Sequence, residues 1–110
     1  MATSSQTPLS AAIALSQLLQ EHPELPPARW AVERDGLLSG TVDVHADYDI
    51  REALAQYAEV LGGTVFAHEF NSPDGGPSLS AQLYATWRDV RVNVWGTCLI
   101  SAVAGAGVAA

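Results

Sequence analysis

At 110 residues the chain has the size of one domain, and a second core would leave too few residues for either. Apolar residues make up 48% and charged residues 15%, which supplies a core and excludes a wholly disordered chain. Twelve acidic against five basic side chains leave a net charge of −7, so the average surface repels phosphate and direct nucleic-acid binding is disfavoured.

Thr7-Pro8 is a helix start, a capping hydroxyl followed by a proline whose missing N–H costs nothing there. Leu9, Ile13, Leu15, Leu18 and Leu19 then supply apolar faces, which predicts a helix over about 8–21. Leu25-Pro26-Pro27-Ala28 cannot continue it, because each proline forces the preceding residue into an extended conformation.

From Trp30 the apolar period changes to two, and Asp35-Gly36 favours a tight reversal, so a first hairpin follows. A three-residue loop with Gly36 left-handed is expected to set Trp30 against Val42 and Val32 against Gly40. The second strand then carries Val42, Val44 and Ala46 on one face and Thr41, Asp43, His45 and Asp47 on the other.

Asp49-Ile50-Arg51-Glu52 has capping-box spacing, and Ile50, Ala53, Leu54, Tyr57, Ala58 and Leu61 form one helical stripe that ends at Gly62-Gly63. Thr64 to Phe70 reads as a third strand and residues 73–77 as a loop. Leu79, Ala81, Leu83, Ala85 and Trp87 alternate with polar residues, and Val90 to Thr97 forms the last strand. Pairing Trp87 with Val90 also pairs Ala85 with Val92 and Leu83 with Val94, a register that puts every apolar residue on one side.

The expected fold is α+β, a two-layer sandwich of order αββαβββ with both helices on one face of an antiparallel sheet of about five strands. Residues 8–100 form the domain, 1–7 a flexible start and 101–110 a flexible apolar tail. The run from Leu99 to Ala110 is shorter than the roughly 20 residues of a membrane span, and the first residues lack a signal-peptide pattern. Cys98, the single cysteine, excludes an intramolecular disulfide and a thiolate metal cluster, so a cytoplasmic setting is expected.

Asp43, His45 and Asp47 share a strand face and would converge two carboxylates and an imidazole, a candidate metal or proton-transfer site; a solvated polar face accounts for the same pattern. His68-Glu69 can add at most one group, since strand neighbours face opposite ways. His22 fits a helix C-terminus, Cys98 has no activating neighbour in its local sequence, and Gly75-Gly76 lacks the lysine and the following helix of a phosphate loop. No catalytic residue and no cofactor are assigned.

Tyr84, Arg88, Arg91 and Trp95 are the candidate partner-binding residues, two aromatics and two arginines on or beside the sheet's outward face. Leu25-Pro26-Pro27, Trp30 and Asp35-Gly36 resemble parts of small uncharacterised proteins encoded by actinobacteria and their phages or mobile elements. That resemblance covers about the first two thirds of the chain and implies an accessory role, with no site residue attached to it.

Three functions therefore stand as expectations. The first is a non-enzymatic interaction or regulatory module acting through the open sheet face on a protein partner, a second copy of itself included. The second is a metal-binding or metal-assisted hydrolytic site at Asp43, His45 and Asp47. The third is a DNA-mimic inhibitor presenting Asp43, Asp47, Asp49, Glu52 and Glu59.

Overall fold

The structure, a computed structural model, describes residues 7–42, 49–73 and 76–100. In chain order it contains α1 (Pro8–Glu21), β1 (Ala28–Val32), β2 (Leu38–Val42), α2 (Ile50–Leu61), β3 (Thr64–Ser72), β4 (Gly76–Trp87) and β5 (Val90–Leu99). The α+β order αββαβββ is the expected one. Among the described residues, no helix is long and apolar enough to cross a membrane.

α1 begins where Thr7 and Ser10 cap each other, Thr7 Oγ1 accepting from the Ser10 amide at 3.1 Å and Ser10 Oγ from the Thr7 amide at 3.0 Å. This reciprocal box thus forms at α1. At α2, Asp49 is the N-cap, and its carboxylate accepts from the Arg51 amide at 3.0 Å. The buried stripe of α1 is Ala11, Ala14 and Leu18, which leaves Leu9, Ile13 and Leu19 exposed. Small alanines let α1 lie close to the sheet, so its larger apolar residues are turned aside.

The five strands form one sheet in the order β1-β2-β5-β4-β3. It is mixed and not purely antiparallel, because β2 pairs with β5 in parallel, Leu38 opposite Val92 and Gly40 opposite Val94. Parity explains the difference. α2 carries the chain across the sheet, so that β3 runs in the same direction as β2, and two hairpins then reverse the direction twice. β5 consequently points along β2 when it inserts beside it.

The first hairpin pairs Trp30 with Gly40 and Val32 with Leu38, two residues away from the expected register. Its loop is Arg34-Asp35-Gly36, closed by the Glu33 amide donating to the Leu37 carbonyl at 2.8 Å, with Gly36 at φ 89°. A three-residue loop needs its left-handed residue in third place, whereas the expected register would have put Gly36 second. A slip of two leaves every side chain on its original face. It also seats the Trp30 indole over Gly40, where an added Cβ would lie 2.6 Å from the ring.

The hairpin of β4 and β5 keeps the expected register, with Trp87 opposite Val90, Ala85 opposite Val92 and Leu83 opposite Val94. Its two turn residues, Arg88 and Asp89, have φ of 53° and 66°, the left-handed pair of the tightest hairpin turn. The loop between β3 and β4 is shorter than expected, since Gly76 and Pro77 already pair with Ser72 and Asn71.

Leu38, Val42, Leu79, Ala81, Leu83, Val90, Val92, Val94 and Cys98 meet Ala11, Ala14, Leu18, Ile50, Ala53, Leu54, Tyr57 and Leu61 in a single core. Tyr57 sends its hydroxyl to the Pro26 carbonyl and packs edge-on to Trp30, with ring centroids 6.0 Å apart. The stiff connector after α1 is thereby tied to α2. One face of the sheet is thus covered by helices, and among the described residues the other is not.

Candidate interaction surface

The strand registers place one row of side chains across the whole outward face: Phe66 on β3, Gln82 on β4, Trp95 on β5, Thr41 on β2 and Arg29 on β1. A neighbouring row runs Thr64, Tyr84, Asn93, Ser39 and Ala31. Alternation dictates these rows, because on β2, β4 and β5 every second residue faces the core and the residues between them face out.

Phe66 is 56% exposed, Tyr84 51% and Trp95 39%, so the outward face presents large rings that neither α1 nor α2 covers. Phe66 and Tyr84 meet edge-on with centroids 5.9 Å apart, and the Tyr84 hydroxyl donates to Oε1 of Gln82. Those contacts hold the rings in place. Phe70 lies further along β3 on the same side, its ring centroid 6.4 Å from that of His68. Near one end of the face a shallow cavity of about 440 Å³ is lined by Leu37, Tyr84, Thr86, Arg91 and Asn93 among others.

The charge of this face differs from that of the chain. Among the described strand positions, the outward side carries Arg29, Arg91 and His68 and no carboxylate. Arg91 leans toward Asp35 at the tip of the first hairpin, 3.5 Å away. The described acids occupy other places: Glu21 and Glu24 near the end of α1, Glu33 and Asp35 at the first hairpin, Glu52 and Glu59 on α2, Glu69 on the helix-facing side of β3, and Asp89 in a turn. Asp49 is 7% exposed and occupied as the cap of α2.

Of the four candidate partner-binding residues, Tyr84, Arg91 and Trp95 lie on the outward face and Arg88 does not. Arg88 turns toward α1, where its guanidinium donates to Glu21 at 2.7 and 3.0 Å and to Gln17 at 2.8 Å. The same group lies 4.2 Å from the centre of the Trp87 ring. The hydrogen bonds from Arg88 hold the Glu21 carboxyl below its ordinary value, and Glu21 in turn raises the guanidinium. Arg88 acts as a strut between the last hairpin and α1.

Asp43, His45 and Asp47 lie outside the described residues, as do Val44 and Ala46. Among the described residues, no three His, Cys, Asp or Glu side chains gather where a metal ion could sit. His68 and Glu69 take opposite sides of β3, and Cys98 is buried on the helix side. Phe66 and Phe70 are exposed rings of this candidate surface that sequence reasoning did not assign. Their signal was the alternation of Phe66, His68 and Phe70, but without the partner register on β4 nothing said which face they take.

Comparison of the chain with family models, with curated proteins and with solved structures finds no match.

Proposed function

We propose that the chain is a non-enzymatic interaction module that binds a protein partner through the outward face of its sheet. The observation that carries this reading is the exposed set of Phe66, Tyr84 and Trp95 on one helix-free face. Exposed aromatic rings with arginine beside them are the groups that most often anchor protein interfaces, because they bury much area at a small entropy cost. Ser39, Thr41, Gln82 and Asn93 between the rings offer hydrogen bonds to a partner's polar groups.

Arg29 and Arg91 suit a partner surface whose apolar centre is bordered by carboxylates. Aromatic sheets also stack single-stranded nucleic acid, but a net charge of −7 works against a polyanion. The single buried thiol of Cys98 fits a reducing, cytoplasmic setting. An accessory role accords with an aromatic open face as a prominent surface feature among the described residues.

The test is capture with the wild-type chain and with a Tyr84→Ala/Trp95→Ala variant. Proteins retained by the wild type should be lost from the variant, while circular dichroism shows the same fold. Capture of the same proteins by both would overturn the reading.

A further inference from the structure

The two edges of the sheet are built differently. β1 has five residues, follows Pro26-Pro27 and rests Trp30 on its neighbour, three features that shorten or occupy an edge. β3 ends the sheet on the other side with nine residues, and positions 64–71 are all exposed. It holds no proline and no lysine, and it pairs with β4 without a bulge from Thr64 opposite Tyr84 to Ser72 opposite Gly76. Neither shortness, nor proline, nor a bulge protects this edge, and its one guarding charge is Glu69 on the helix-facing side.

We propose that β3 pairs antiparallel with β3 of a second copy about a two-fold axis through His68, joining the two sheets into one. Such an axis stands perpendicular to the sheet and keeps both helix layers on the same side, so paired residues must share a face and the axis must pass through a residue position. With His68 on the axis, Phe66 lies opposite Phe70 of the partner subunit and Phe70 opposite Phe66 of the partner subunit. The whole strand is used, Thr64 reaching Ser72 of the partner subunit. Moving the axis to Glu69 would set that carboxylate against its own copy, where like charges destabilise a pair. Moving it to Ala67 would strand the far end of β3 and set Phe70 against a threonine.

Symmetry selects a second copy as the occupant, because Phe66 and Phe70 stand two residues to either side of His68 and one register sets each against the other. Two chains of net charge −7 repel over most of their surfaces, and β3 carries one carboxylate, Glu69, which this register places opposite Ala67 of the partner subunit. The edge is therefore where like-charged copies approach at least cost, and the cross-strand Phe pairs reward the approach. This dimer uses the strand edge and does not depend on the sheet face having another partner.

The experiment is sedimentation equilibrium of the full chain over a concentration series, with oxidative cross-linking of cysteine variants in a Cys98→Ser background. The wild type should reach twice the 11.6 kDa of the chain, and His68→Lys, which sets two cations on the axis, should sediment as a folded monomer. His68→Cys should cross-link readily, since directly opposed residues lie within about 4.5–5.5 Å, a span a disulfide accepts. Phe66→Cys alone should not, because its copy lies several residues away along the pair. A wild type that stays monomeric, or a Phe66→Cys chain that cross-links as well as His68→Cys, would overturn the proposal. The face reading is scored separately: Tyr84→Ala/Trp95→Ala should lose its captured proteins and remain dimeric.

Discussion

Val94 and Trp95 are adjacent in the chain and share a strand, yet Val94 is fully buried and Trp95 is 39% exposed. The same contrast holds between Leu83, fully buried, and Tyr84, 51% exposed. Among the described residues two helices lie over the first set and none over the second, so one face of the sheet carries the core and the other is the proposed contact surface. The fully buried strand residues of the covered face, Leu38, Leu83 and Val94 among them, are aliphatic and fill space, whereas the open face carries the rings of Phe66, Tyr84 and Trp95 between hydrogen-bonding side chains.

The largest expected effect comes from disturbing the covered face. Leu54→Ala or Leu83→Ala removes a fully buried side chain and should cost about 2–5 kcal/mol, a large share of a small domain's stability. Gln82→Ala, one residue from Leu83 but on the other side, should cost less than about 1 kcal/mol. Denaturant midpoints compare the three. Equal losses at Leu83 and Gln82 would mean that the two faces are not distinct, and the proposed contact surface would go with them.

A smaller effect is expected where the two central strands turn. Asp89 has a left-handed backbone, which glycine adopts without the steric penalty of a side chain. Asp89→Gly should therefore raise stability by less than about 1 kcal/mol, the gain being partly offset by the freer unfolded chain. A lowered melting midpoint would show that the Asp89 side chain contributes more than its backbone costs.

The smallest effect concerns the strut between the hairpin and α1. Glu21 has a lowered pKa in the folded chain, so its contribution is present above the ordinary carboxylate range and is lost as pH falls through the depressed folded value. Glu21→Gln should melt below the wild type at neutral pH, and the gap should close in acid. Both groups are well exposed, so the gap is modest and shrinks with added salt. A gap independent of pH would show that packing, and not charge, joins the two elements.

Much of this was legible from residue order. The hydrophobic period of 3.6 over Ile50 to Leu61 and the period of two over Leu79 to Val94 each named their buried residues, and each needed the other to close a core. In the last hairpin the alternation named the face shared by Leu83, Ala85, Val92 and Val94, and the two-residue turn at Arg88-Asp89 sets the register. In the first hairpin the loop length and the left-handed Gly36 were also legible, while the place of that glycine within the loop, and with it the register, was not. A two-residue slip leaves every face unchanged, so hydrophobic pattern cannot detect it.

What residue order determined is local and periodic: which segments are helix or strand, which side of each is apolar, and where the chain must turn. Only the tertiary structure decided which strands are neighbours. The parallel contact of β2 with β5, the exposed edge at β3 and the turn of Arg88 toward Glu21 all join residues far apart in the chain, and no local period encodes them. The row from Phe66 through Gln82 and Trp95 to Arg29 has the same origin. Its members come from five strands, so it exists only once β5 has inserted between β2 and β4 and long-range backbone pairing has aligned the strands.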